Sequence, residues 1–361
     1  MTELTKELCL QALYGGLLLG GGGGGSIRLG LDALDEAFHH TDRLKLLKPG
    51  ELSPDETIVN VSMVGAPSAK DICVTAEHWK TALHNFENFS GTKISGLTSC
   101  ENGGVSTSNG WILSALTGIP LVDAPSNGRA HPTGMMGSMG LDQFPDYVTV
   151  QSACGGKGEK YVETVARGSL PAASHLIRQT AVASGGMCCV LRNPVSAQYA
   201  ETHAAVGAIA QALEIGRGFL EHSGDVSGVL SFLADGYDAE AVCAGVTRSY
   251  MLRMGGGYDV GSLHVMTGQD DYELTFWNEY MTMEKNGERI GTFPDLLCTL
   301  DALTGLPLSS AEIQDGRNVV LLKIPRNRLI LGMGMHRENL FREAEKVLGK
   351  ELISYQKELF S

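Results

Sequence analysis

The densest polar cluster in the sequence is Asp123 followed by Asn127-Gly128-Arg129-Ala130-His131-Pro132, just before a glycine- and methionine-rich stretch at residues 134–140. Arg129 there has the chemistry to grip a carboxylate bidentately, with Asp123 orienting Arg129 or His131. An exposed salt bridge is the ordinary alternative. Glu101, in Glu101-Asn102-Gly103-Gly104, suits a general base or an acceptor for a substrate N–H, and equally a carboxylate complementing a helix start. Cys154 runs into Gly155-Gly156-Lys157-Gly158. A thiol at such a turn, beside a lysine, can be a nucleophile, and the glycines can offer N–H groups to an oxyanion. An inert core cysteine is the alternative. Six glycines at residues 20–25, then Ser26, suggest amides facing an anion, a loop whose Gly24 and Gly25 hug a small substrate, or a close-packed turn.

The glycine run lacks the Lys-Ser/Thr ending of a P-loop and follows a helix where a dinucleotide fingerprint needs a strand, so no nucleotide cofactor is expected. Ten histidines form no HxH or HExxH pattern and eight cysteines no CxxC. No cofactor is required by the sequence, and a divalent ion on scattered ligands stays open. The cysteine scatter fits a reducing compartment, and the location expected is cytoplasmic.

The 28 basic and 41 acidic residues give a net charge of −13, which argues against a phosphate-tracking nucleic-acid surface. No window approaches the ~18 apolar residues of a membrane span, and Glu3 and Glu7 occupy the place where a signal peptide is basic. Glycine is over-represented, 46 of 361 residues, and lies among apolar periodic segments, as in a folded enzyme rather than a disordered polymer. A small-molecule partner is expected, and a homo-oligomer by base rate.

The elements that must position these residues alternate in the first half. Helices are expected over residues 3–13, 26–39, 69–86 and 108–116, and strands over 57–64, 93–98, 119–122 and 147–150. Strand–helix alternation implies a parallel or mixed sheet, with function in loops at strand carboxyl ends: residues 65–68, 99–104, 123–140 and 151–158. Residues 197–219 read as helix. Beyond Gly224 the pattern is strand-rich, over 260–265, 273–277, 279–283, 292–300 and 319–324, with an Asn286-Gly287 hairpin and a closing helix at 336–348. The expected architecture is an α/β N-terminal domain, residues 1–168, and a C-terminal domain, residues 169–361, with a helical lead-in and then β-rich.

Tyr14-Gly15-Gly16 with the glycine run, Glu101-Asn102-Gly103-Gly104, and residues 120–130 with Asp123 and Gly128-Arg129-Ala130 resemble the S-methyl-thiohydantoin desulfurase family. Asn278-Glu279, Thr292-Phe293-Pro294-Asp295-Leu296-Leu297, Leu300-Asp301 and Thr304-Gly305 resemble its C-terminal signature. The chain departs from the pattern at His131, where an aromatic residue is expected, at Thr133, where an acid is expected, and at Ser106 in place of an asparagine.

The resemblance implies hydrolysis at C2 of a thiohydantoin-like five-membered cyclic amide, releasing a thiol and leaving a hydantoin. On that expectation Cys154 is the nucleophile, Asp123 or Glu101 holds a ring N–H and moves the proton, and His131 is an added acid/base. Arg129 binds a substrate carboxylate or carbonyl, with Asn127 alongside, while Gly103, Gly104, Gly24 and Gly25 let backbone approach the ring. Two rivals stand beside it: a metal-dependent hydantoin-type hydrolase using His131 and Asp123, and a non-catalytic hydantoinase-associated binding or regulatory subunit.

Overall fold

A computed structural model describes residues 1–65, 69–255 and 258–360. Residues 66–68, the core of one expected functional loop, lie outside the described residues. In the first half the strands are β1 (Thr2–Leu4), β2 (Leu44–Leu47), β3 (Thr57–Gly65), β4 (Gly96–Ser99), β5 (Leu121–Val122), β6 (Thr149–Gly155), β7 (Val162–Gly168) and β8 (Met187–Ser196). They form one sheet in the order β1-β2-β5-β4-β3-β8-β6-β7. Pairing is parallel from β2 through β5 and β4 to β3, and antiparallel elsewhere, so the sheet is mixed. The sheet draws on both sides of residue 168, because β8 sits between β3 and β6.

Side-chain alternation along these central strands separates two cores. Val59, Val61, Cys154, Cys189 and Leu191 pack with Trp79 and Phe86 of helix Ala76–Ser90. Val64, Ala153, Cys188 and Val190 pack with Ile177 and Ala181 of helix Leu170–Ala183. The first of these helices starts later than residue 69 because Thr75 supplies its N-cap, with His78 Nδ1 accepting the Thr75 N–H at 2.9 Å. Numbering helices in chain order, α1 is Lys6–Leu19, α2 Ile27–His40, α3 Ala76–Ser90, α4 Trp111–Thr117, α5 Leu170–Ala183, α6 Ala197–His203, α7 Ala208–Glu221, α8 Val226–Tyr237 and α9 Glu338–Leu348.

The second sheet is wholly antiparallel, in the order β13-β12-β11-β10-β9-β16-β14-β15. Its strands are β9 (Glu240–Gly255), β10 (Tyr258–Thr267), β11 (Asp270–Trp277), β12 (Glu279–Lys285), β13 (Glu288–Thr292), β14 (Leu296–Asp301), β15 (Pro307–Leu308) and β16 (Asn318–Ile324). Asn286 and Gly287 have φ of 50° and 84° between β12 and β13, the two left-handed residues of a type I′ hairpin.

Helix α1 joins the halves. It crosses α7 so closely that a Cβ on Gly15 would lie 1.8 Å from the Ala212 carbonyl oxygen, and one on Gly216 1.7 Å from that of Gln11. Its last turn, Leu18 and Leu19, packs with α7, α8 and the second sheet through Phe219, Leu233 and Leu322. A helix buried at that end delivers the glycine run to the junction of the two sheets. Among the described residues no helix is long and apolar enough to cross a membrane.

Candidate functional site

Between the two sheets lies a cleft with a cavity volume of about 120 Å³, partly open to solvent. Its floor is the glycine run. Gly21 accepts the Tyr280 N–H at 2.8 Å and Gly22 the Ser310 N–H at 2.7 Å, while the Gly24 carbonyl takes the N–H groups of Val105 and Ser106. The turn is therefore close-packed, and one side of it faces the cleft through Gly22–Gly25. Gly24 has φ 70°, and a Cβ there would stand 2.5 Å from Gly103 Cα. Gly24→Ala should destabilise the protein by at least about 1–3 kcal/mol through overpacking and left-handed strain, measured by urea unfolding.

Glu101 and His131 meet at one wall. Strand β4 ends at Ser99, and the turn that follows lifts Glu101 into the cleft. One Glu101 oxygen accepts the Ser106 hydroxyl at 2.8 Å; the other accepts the His131 N–H at 3.2 Å and lies 3.4 Å from His131 Nε2. The His131 side chain is 3% exposed. Burial lowers its pKa, with Glu101 opposing, so the imidazole is neutral near pH 7. Thr133 and Ser106 line the same cleft, and the Thr133 hydroxyl accepts the Met136 N–H.

Glu279 closes the opposite wall. It opens β12 directly after Asn278, whose φ is 56° and whose side chain accepts the Asp259 N–H at 2.9 Å. Burial and then the neighbouring Glu101 raise the Glu279 pKa well above the carboxylate range, while Arg129 opposes. Glu279 Oε2 and Asp259 Oδ1 are buried without hydrogen-bond partners, and burial also raises Asp259. The cleft thus holds two inequivalent glutamates, one hydrogen-bonded to a hydroxyl and an amide, the other desolvated. Environments that push two carboxyls apart are how one site supplies both a base and an acid.

The third side carries positive charge. Arg192 of β8 and Arg178 of α5 line the cleft and feel each other electrostatically. Arg192 donates to Asn60 Oδ1 at 3.5 Å and lies beside the Cys100 thiol. The guanidinium of Arg178 stacks 4.2 Å over the Tyr258 ring.

Of the residues given catalytic or substrate-binding roles from the sequence, Glu101, His131, Gly24 and Gly25 line the cleft, whereas Cys154, Asp123, Arg129, Asn127, Gly103 and Gly104 do not. Cys154 is corrected. Strand β6 continues through it to Gly155, which turns its thiol into the α3 core, fully buried. Its Sγ contacts the Tyr161 hydroxyl at 3.8 Å, and burial raises its pKa, the opposite of nucleophile activation. Asp123 is also corrected: its oxygens accept the N–H groups of Ile209 at 2.7 Å and Ala210 at 3.3 Å, so it caps α7. Arg129 is buried behind the cleft, donating to the carbonyls of Ala130, Pro294 and Asp295 and lying 4.6 Å over the Phe293 ring. Burial pushes its pKa down to about 10, with Glu279 opposing, so it stays a cation.

Asn127 ties the Arg129 carbonyl to the Gly332 amide. Gly103 and Gly104 serve as close-packing partners of Gly24 and Gly25. Cys100 contributes a thiol to the cleft wall, pushed up to about 12 by burial and Glu101. Among the described residues no three His, Cys, Asp or Glu side chains gather as a metal-binding group.

Residues 10–170 match the N-terminal domain of the S-Me-THD-like family, and residues 170–331 match its C-terminal domain. The chain belongs to that family. The resemblance seen in Glu101-Asn102-Gly103-Gly104 and Asn278-Glu279 thus extends over most of its length, and the family name ties it to thiohydantoins. No curated protein matches the chain. A crystal structure of a protein from Chromobacterium violaceum shares the fold, with a TM-score of 0.72 over 96% of each chain at 17% identity.

Glu279, Asp259, Arg192 and Arg178 went unread as site residues. Only Glu279 carried a local signal, as half of the Asn278-Glu279 pair. The others are single charges inside apolar strands or a helix and gain meaning only from the cleft.

Proposed function

We propose that this protein hydrolyses an S-alkyl thiohydantoin bearing an acidic substituent, releasing the thiol and leaving the hydantoin. The observation that carries the reading is the convergence of Glu101, His131 and Glu279 on one partly closed cleft, in a chain of the S-Me-THD-like family.

Ring carbon C2 of such a substrate is the carbon of an isothiourea. Water adds to C2, the C2–S bond breaks, and its electron pair leaves on sulfur. The ring nitrogen gains a proton from Glu279, which regains one from the tetrahedral hydroxyl as it collapses to the carbonyl, and the proton taken by Glu101 passes to the departing thiolate. Glu101, directly or through His131 Nε2, takes the proton from water. Glu279 is the group held neutral by burial and supplies the proton to the ring nitrogen as C2 becomes tetrahedral. Arg129 keeps Glu279 from drifting higher still, because a cation beside a carboxyl favours its charged form. Arg192 and Arg178 take the substrate carboxylate. No step uses a thiol.

The test is methanethiol release from an S-methyl thiohydantoin carrying a carboxylate side chain. Wild type and Cys154→Ser should turn over within about threefold of each other, and EDTA should leave both unchanged. A dead Cys154→Ser with native stability restores covalent catalysis, loss on chelation brings in a metal, and a cleft that binds the ring without release points to a binding subunit. The pH profile adds a check with a definite sign. Because Glu279 must be protonated and its pKa is raised, kcat/KM should fall on the alkaline side as Glu279 ionises.

A further inference from the structure

A second pocket, with a cavity volume of about 470 Å³ and partly open to solvent, abuts the first. The two share Met63 and Val105 as lining residues, so these side chains form the wall between them. Beyond that wall the lining is mostly apolar: Leu29 and Ala33 of α2, Val74, Trp79 of α3 and Ile112 of α4. The charges there are the carboxylates Asp32 and Glu36, both on exposed residues at the solvent side. Such a pocket repels an anion and favours an uncharged hydrocarbon group.

The faces of the first sheet decide which part of a substrate reaches it. Arg192 has the strand parity of Cys188 and Val190, so it shares the α5 face with Arg178. Met63 has the parity of Val59 and Val61 and packs on the opposite, α3 face. The guanidinium side and the apolar side of the cleft therefore lie across the sheet's end from each other. In a thiohydantoin the bonds from C5 to its substituent and from C2 to sulfur diverge. A carboxylate on the C5 substituent held at Arg192 and Arg178 turns the S-alkyl group toward Met63 and Val105.

We propose that the second pocket receives the S-alkyl group of the substrate, with Met63 and Val105 as its threshold; this rests on the hydrolase reading above. The enzyme then tolerates S-substituents well beyond methyl, and the hydrophobic thiol leaves away from the charged wall. Each added methylene should gain up to about fourfold in affinity while the pocket fills.

The experiment uses a series of S-methyl to S-butyl thiohydantoins with the same carboxylate side chain. Binding is read by calorimetry and thiol release by kinetics. In wild type, affinity should climb along the series and S-butyl turnover should persist. Ala33→Phe, and independently Ile112→Phe on another helix, should fill the pocket, leave S-methyl turnover within about twofold, and cut S-butyl kcat/KM at least tenfold. Turnover of S-methyl with no gain along the series, or a gain that both folded variants leave intact, overturns the pocket assignment. No thiol release from any member, with affinity still climbing and abolished by both variants, overturns the hydrolase reading and leaves the pocket standing.

Discussion

The Glu101→Gln protein is expected to release methanethiol about 10²- to 10⁴-fold more slowly than wild type, the range lost with a positioned general base. Glutamine keeps the shape of the side chain and an oxygen to accept the Ser106 hydroxyl or the His131 amide. What it loses is the ability to take a proton. The thermal midpoint should therefore stay close to wild type while kcat falls, and KM should move little. His131→Asn supplies the companion measurement. If His131 relays the proton, its removal costs nearly as much as that of Glu101, and the double variant is no slower than Glu101→Gln, as for groups acting as a unit. A Glu101→Gln protein of undiminished kcat would remove this carboxylate from the chemistry.

The largest effect on stability is expected at Arg129. Its guanidinium is fully buried, donates to three backbone carbonyls, and lies beside the desolvated Glu279. Arg129→Met fills much of the volume but leaves the carbonyls of Ala130, Pro294 and Asp295 without that donor. Stripping one partner from a buried ionic and hydrogen-bonded arrangement costs about 3–5 kcal/mol, visible as a lowered urea midpoint at unchanged m-value. The Pro294-Asp295 turn belongs to the C-terminal half and Ala130 to the N-terminal half, so the loss falls on their junction. A second consequence concerns the acid itself. Without the cation the Glu279 pKa rises further, and the alkaline limb of kcat/KM should move to higher pH in whatever fraction stays folded. A loss below about 1 kcal/mol would show that water replaces the guanidinium at no cost.

Much of the fold was legible in the sequence because periodicity is local. The alternation of β-branched strands with helices over the first half, and Asn286-Gly287 between short extended stretches, reflect backbone preferences that neighbours in sequence impose. Glu101 and His131 were legible as well. Each sits in a polar loop after a strand, where a side chain must face either solvent or a ligand. Cys154 misled because Gly155-Gly156 signals a turn, whereas the pairing of β6 with both β7 and β8 carries the strand through it. Hydrogen bonding on two sides outweighs one glycine's local preference, and strand parity then assigns the thiol to the α3 core. Asp123 misled for a related reason: the helix it caps begins at Ala208, far along the chain, and no local pattern records that pairing.

The sequence by itself determined the family, the α/β character of the first half and the β-rich character of the second, and the polar loops that supply Glu101 and His131, since composition, period and motif order are properties of the chain. Only the tertiary structure decided which charged groups share a cleft. Glu279, Asp259, Arg192 and Arg178 come from β12, β10, β8 and α5, and burial at the meeting of the two sheets, with Glu101 adding to it and Arg129 opposing, raises the Glu279 pKa. That shift arises only when distant segments are packed together.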